Sequence, residues 1–346
     1  MAPIAERHRW HDGTVAGRRT NLALLALLIL ALLTGVLSWA IGSLLDRWIV
    51  IAHGVAGLAI VALTPWKGVI ARRGVARRRP GTGSSIAFAA LIVASIAAGL
   101  VHITGIVRSV GPFSPLGIHV STAVAAVLVG VVHVVQRPVR PRATDLSRRN
   151  LLRSGAVLGA GAVGWLSIAG ALRVAGASGA DRRITGSLEH GSGAPADMPV
   201  TQWLNDPVPA IDPSTWRVQV LHGTRQLSVD EVAAFGDTVH ATLDCTGGWY
   251  AEQDWTGARL DRLLDGATGS SIIVRSVTGY SRRFPRSDAS ALLLATHAGG
   301  EPLLAGHGAP ARLVAPDRRG FWWVKWVSAI DVDDVPWWWE SPFPLT

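Results

Sequence analysis

LDCTGGWYAEQDWTGARL, residues 243–260, holds the single cysteine of this 346-residue chain, Cys245. The apolar run 239–243 reads as a strand that delivers Cys245 to a turn made by Thr246, Gly247 and Gly248. With no second cysteine, a disulfide within the chain is excluded. A lone thiol in such a turn is either a small buried hydrophobe or a ligand for a soft metal. The sequence on either side of it favours the ligand.

Around this segment, β-rich runs recur at 216–221, 239–243, 271–277, 311–314, 322–327 and 329–332, separated by turns rich in Gly, Pro and Asp. Helical patterns are short, at 228–235, 258–264 and 286–295. The pattern predicts an α+β domain with a mixed sheet over residues 201–346. Residues 177–200, rich in Gly, Ser and Ala, read as a linker. Trp337, Trp338 and Trp339 read as core or edge packing, the alternative being docking at a membrane interface, where Trp is enriched.

The N-terminal half is of another kind. Residues 1–180 carry 19 Arg/Lys and 4 Asp/Glu, a net +15, whereas residues 181–346 carry 14 and 20, a net −6. Apolar segments at 21–42, 48–65, 86–106, 116–135 and 155–176 are each near the roughly 20 residues that cross a bilayer as a helix. Five in series predict an α-helical transmembrane bundle: a tail (1–20), a four-helix membrane domain (21–136), and a basic loop with a fifth helix (137–176). The basic residues lie between apolar segments without interleaved aromatics, which points away from nucleic acid.

Loop charge sets the orientation. The tail has Arg7, Arg9, Arg18 and Arg19. The second loop has Lys67, Arg72, Arg73, Arg77, Arg78 and Arg79, and the fourth has Arg137, Arg140, Arg142, Arg148, Arg149 and Arg153. The first and third hold only Arg47 and Arg108. This predicts a cytoplasmic N-terminus and a C-terminal domain outside the cytoplasmic membrane of a bacterium. Ser147-Arg148-Arg149-Asn150-Leu151-Leu152-Arg153 resembles a twin-arginine export motif placed internally, the alternative being an ordinary basic flank. Export in the folded state suits a domain that takes up a bulky cofactor in the cytoplasm. The small-residue run 174–177 could be cleaved; retention is expected, because cleavage would part the domain from its helices.

Four stretches of the C-terminal half resemble the sulfite-oxidase-type molybdopterin oxidoreductase domain, over roughly 201–332. They are NDPVPAIDPSTWRVQVLHG (205–223), LDCTGGWYAEQDWTGARLDRLL (243–264), VTGYSRRFPRSDASALLLATHAGGEPL (277–303) and GHGAPARLVAPDRRGFWWVKWVSAIDV (306–332). The resemblance implies that Cys245 is the protein ligand of molybdenum, with a pyranopterin supplying two further sulfurs. It implies that His307 and Arg312 of the HGAPxR stretch, and Trp323, Val324 and Lys325 of the following strand, hold the pterin phosphate. Ser276 lies where the family often has a hydroxyl on the cofactor. Arg and Lys with backbone N–H groups suit a phosphate. The other readings are an edge lysine for Lys325, an ion pair for Arg312 and a satisfied turn histidine for His307. The chain departs from the family in having no basic residue just after Cys245, which puts sulfite in doubt. Arg282, Arg283 and Arg286 could supply charge to the pocket, or form a solvated face.

In the membrane half, His53, His102 and His119 fall near the outer ends of segments two, three and four, and His133 near the inner end of segment four. Intramembrane ionisable groups are costly and usually functional. Imidazoles from neighbouring helices are one way to hold haem b, so the outer trio offers two axial ligands for one haem; the alternative is histidines bonded to backbone or to each other. His133 has no evident partner for a second haem.

The sequence thus predicts a membrane-anchored molybdenum–molybdopterin oxidoreductase. The expected chemistry is two-electron oxygen-atom transfer between Mo(VI) and Mo(IV), on a small-molecule substrate. A quinone or a redox protein would be the electron partner. A reductase of S-oxides or N-oxides and an oxidase of a small reduced substrate both remain open. The rival classes are a metal-free membrane-tethered binding or assembly domain and a haem-only electron carrier.

Overall fold

The computed structural model describes residues 4–40, 46–76, 81–202 and 207–343. Arg77, Arg78 and Arg79 of the second basic loop, and Asn205 at the head of the family-like stretches, lie outside the described residues.

Five long helices come first: α1 (Ile4–Ala40), α2 (Asp46–Ala76), α3 (Thr82–Thr104), α4 (Pro115–Gln136) and α5 (Arg148–Val174). Each contains a stretch long and apolar enough to cross a membrane. Local chemistry sets their ends. Ser114 accepts the Gly117 N–H at 3.0 Å, with Pro115 in the first turn of α4, and Gly105, left-handed at φ 66°, closes α3. Hydroxyls inside the helices are satisfied by their own backbone: Thr34 donates to Leu30 O and Thr122 to Ile118 O, both at 2.6 Å. The outward side chains are apolar, among them Leu33, Val93, Leu128, Val163 and Leu166.

Long-range contacts show that the helices alternate in direction. At one end of the bundle Arg18 grips Asp145 with two bonds of 2.6 and 2.7 Å. At the same end Lys67 donates to Asn21 (2.8 Å) and Ser84 to Gln136 (2.7 Å). At the other end Ser178, just past α5, donates to Gly105 O at 2.9 Å. There Gly179 approaches α3 so closely that a Cβ would lie 1.9 Å from Ile103 O. The basic loops therefore share an end.

A second compact unit takes in the chain from Arg183 onward, together with Trp39–Asp46. Its strands are β1 (Leu188–Glu189), β2 (Val218–Val220), β3 (Arg225–Leu227), β4 (Asp237–Cys245), β5 (Trp249–Arg259), β6 (Ser271–Ser276), β7 (Ser281–Pro285), β8 (Leu293–Ala298), β9 (Glu301–Pro302), β10 (Arg312–Val314) and β11 (Val327–Asp333). Two short helices, α6 (Val229–Ala233) and α7 (Leu260–Leu263), lie between strands. One sheet runs β1-β5-β8-β10, with β4 beside β5 and β9 beside β8; the other runs β3-β2-β11-β6-β7. The β1–β5 and β2–β11 pairs are parallel and the rest antiparallel, so each sheet is mixed. The core is apolar and fully enclosed at Trp255, Phe284, Leu260, Leu263, Ile272, Leu293 and Leu313.

Several local expectations change. Residues 249–259 form the longest strand, so the helix expected at 258–264 shrinks to α7. The helix expected at 286–295 is a 3-10 turn, Arg286–Ser290, followed by β8. The strand expected at 322–327 is absent. A 3-10 turn, Gly320–Trp322, takes its place, and Trp326 is left-handed at φ 52° with its indole donating to Ala305 O at 2.8 Å. The segment read as a linker carries two 3-10 turns and β1. Trp337, Trp338 and Trp339 are not core: they are 43%, 64% and 68% exposed.

Candidate molybdopterin site

Strand alternation places the thiol. Successive side chains of β4 point to opposite faces, so Leu243 and Cys245 share one face and Asp244 takes the other. The hairpin then reverses through Gly248 (φ 90°), and Cys245 pairs with Trp249 across it. Asp244 is buried in an ionic knot: Arg319 donates to it at 2.6 Å, Ser187 and Thr185 each at 2.7 Å, and Arg183 Nε lies 3.3 Å away. The knot fixes the hairpin from behind and neutralises the nearest carboxylate. Gly320 allows the approach, since a Cβ there would stand 3.1 Å from Cys245 Cα.

Cys245 opens onto a small cleft lined by Pro199, Thr201, Leu243, Trp249, His307, Arg312, Gly320 and Lys325. Burial pushes the thiol pKa up. The Gly247 N–H at 3.3 Å, the Thr201 hydroxyl and the charges of Arg319 and Lys325 act the other way. Arg312 is fully buried between the rings of Trp255 and Trp323, 5.2 and 5.6 Å from their centres. Its Nη1 donates to His307 O at 3.0 Å, and its Nε has no partner. Burial pulls its pKa down to about 10. Lys325 donates to Thr201 O (2.9 Å) and Gly306 O (2.7 Å), and burial together with Arg312 lowers its pKa to about 7. His307 is buried, meets Met198 O at 3.0 Å through Nε2, and is held below its ordinary pKa chiefly by burial.

Two cations and a thiol therefore converge on one cleft whose lining contains no carboxylate. Burying uncompensated charge is expensive, and an anionic occupant removes that cost. Among the described residues no three His, Cys, Asp or Glu side chains stand together as a metal site. A metal on Cys245 would thus take its other ligands from a non-protein group. A sulfur-donating, phosphate-bearing pterin meets both demands.

The cleft brings together Cys245, His307, Arg312 and Lys325. Trp323 stands behind Arg312, donating its indole N–H to Arg318 O at 3.1 Å, and Val324 is core, its carbonyl accepting from Leu313 N at 2.7 Å. Ser276 is elsewhere, in the β6–β7 turn, where its Oγ accepts the Thr278 N–H at 3.2 Å. Arg282 is paired with Glu340 at 2.9 Å, Arg283 with Asp333, and Arg286 donates to Leu264 O; they form neither a pocket wall nor a solvated face. Thr201 and Arg319 were not singled out from the sequence. Thr201 lies in a segment without a motif, and only its tandem with Arg318 before Gly320 marked Arg319. In the helical unit, the rings of His53 and His119 meet edge to face with centres 5.7 Å apart, and His102 is buried on α3 outside that pair.

Residues 205–338 match the family model described as the oxidoreductase molybdopterin binding domain. No curated protein matches the chain. Among solved structures, the sulfane dehydrogenase SoxCD from Paracoccus pantotrophus is similar at 24% identity, over 37% of this chain and 40% of that one, with a TM-score of 0.35. The chain spans about two-fifths of that relative's length. Over those residues, well under half of the chain, the C-terminal half is similar to a molybdopterin-binding oxidoreductase domain.

Proposed function

We propose that the chain is a membrane-anchored molybdenum oxidoreductase whose cofactor is held in the Cys245 cleft. The observation that carries this is the pairing of a buried thiol with a buried guanidinium, Arg312, and a half-buried amine, Lys325, neither of which has an acid partner in the cleft lining. Cys245 would be the protein ligand of the metal, deprotonated on binding as a thiolate ligand must be. Arg312 and Lys325 would hold the pterin phosphate. Trp255 and Trp323 would keep Arg312 in place, and His307 would fix the Arg312 and Met198 backbone contacts as a neutral ring. Bound there, the cofactor would supply two-electron redox chemistry coupled to oxygen-atom transfer. The substrate class is a small molecule, an S-oxide or N-oxide to be reduced or a small reduced compound to be oxidised. Five membrane-length helices with apolar outer faces support anchoring. The shared basic end supports an N-terminus inside and a catalytic domain outside. Electrons would pass to or from a quinone or a redox protein.

The test is molybdenum and pterin content of the full-length chain, purified in detergent from cells able to make the cofactor. One molybdenum per chain is expected, with more than about 90% lost in Cys245→Ser, the substitution that removes the soft thiolate ligand. A folded wild-type chain with neither metal nor pterin would leave a tethered scaffold as the reading.

A further inference from the structure

The helical unit contains one device twice. In the α1–α2 hairpin, Nδ1 of His53 bonds Ala31 O at 2.9 Å, with the Thr34 hydroxyl 3.3 Å away. Four residues beyond Ala31, Gly35 lies against the imidazole: a Cβ there would be 3.1 Å from His53 Cε1. In the α3–α4 hairpin, Nδ1 of His119 bonds Ser95 O at 2.8 Å, with the Ser95 hydroxyl at 3.1 Å. Four residues beyond Ser95, Gly99 lies against the ring: a Cβ there would be 3.0 Å from His119 Nδ1. A carbonyl thus fixes each ring with its proton on Nδ1, and a glycine one turn on gives it room. The lone pair of each Nε2 is left for another partner, the arrangement that orients imidazole as a metal ligand.

The two rings come from different hairpins and approach at 89°, with centres 5.7 Å apart. Two metal–nitrogen bonds of about 2 Å, with a ring radius added on each side, call for a separation of about 6 Å. Among the described residues no third His, Cys, Asp or Glu completes a cluster, so a bare ion would keep most of its coordination sphere unfilled in apolar surroundings. A planar macrocycle with four nitrogens fills it. The only cysteine is Cys245, outside the helical unit, which excludes attachment through a C-x-x-C-H pair.

We propose that His53 and His119 are the two axial ligands of one non-covalently bound iron porphyrin, a b-type haem, with Gly35 and Gly99 making room for their rings. This does not rest on the molybdenum reading. His102 and His133 stand outside that ring pair; His133 lies fourteen residues beyond His119 toward the other end of α4, against Ser85 and Phe88.

The test uses the full-length chain in detergent, with haem counted by pyridine haemochrome and spin state read by optical spectrum and low-temperature EPR. One haem per chain is expected, low-spin when oxidised, with a near-infrared magnetic circular dichroism band of bis-imidazole ligation. His119→Gly and His53→Gly each lose the low-spin signal, and added imidazole restores it in protein that still folds. His102→Ala, His133→Ala and Cys245→Ser keep it. A folded wild-type chain without haem overturns the proposal. So does a wild-type band of other ligation, or a low-spin haem that survives both glycine variants. Molybdenum content measured on the same samples reports the other site separately.

Discussion

Arg312 shows how a residue built for an anion is a burden without one. Its charge lies between two indoles with an orphaned Nε and no acid within the cleft lining. Arg312→Met should cut molybdenum content at least tenfold, yet leave the cofactor-free chain as stable or more so, by on the order of 1–3 kcal/mol, because replacing buried charge with an apolar side chain is often neutral or stabilising. Chemical denaturation with metal analysis checks both halves. Lys325 makes a pH-dependent version of the same point. Its folded pKa is about 7, well below the ordinary lysine value, so above pH 7 the unfolded chain holds a proton that the folded chain has released. Stability of the cofactor-free chain should therefore rise between about pH 7 and about pH 8, where the cysteine thiol is still mostly protonated in both states. Lys325→Met should flatten that slope. Thermal midpoints in detergent across the window decide it; a fall in wild-type stability would contradict the Lys325 assignment.

The β4–β5 hairpin and the contacts that surround it carry the site. Register along β5 shifts against β8 between Thr256 and Gly257, and a Cβ on Gly257 would meet Leu294 O at 2.0 Å. Backbone cannot yield as a side-chain tip can, so Gly257→Ala should destabilise the domain by roughly 3 kcal/mol or more and lower metal retention with it, as urea unfolding of the full-length chain would show. This element also marks how far the sequence could be read. The thiol and its turn were legible in the local sequence, whereas the HGAPxR stretch stood out only through its resemblance to the family. β5 itself was hidden: Gly248, Gly257 and the polar residues between them mimic a loop, and pairing with three other strands overrides that local signal. Trp-Trp-Val-Lys-Trp looks like a strand by composition, but its backbone bonds go to Arg319, Gly320, Leu313 and Gly308, and Trp326 is left-handed. Short-range pattern cannot encode that. Ser276 does not line the cleft for a related reason: it ends β6, in the other sheet.

At the scale of the whole molecule, the two halves differ in kind: five long apolar helices in one, two mixed sheets in the other. Five apolar runs of one length and a lopsided loop charge were readable from composition, and so was a mixed sheet; its division into two sheets and the strand pairings were not, because they join residues far apart in sequence. Arg148 and Arg149 open α5 with exposed side chains. Replacing both with Lys keeps the loop charge but not the export motif. It should leave the C-terminal domain inaccessible to protease added to spheroplasts, with the helices still inserted; full accessibility would mean that the pair is only a basic flank. The order of elements after α5 has a mechanical meaning. The first strand beyond that helix, Leu188–Glu189, is zipped to Trp249 and Tyr250, the partners of Cys245 and Asp244 in the hairpin. The stretch that opens this unit is thus sewn into the hairpin presenting the sulfur before it reaches the middle of either sheet, so undoing that first stitch would loosen the posture of the thiol.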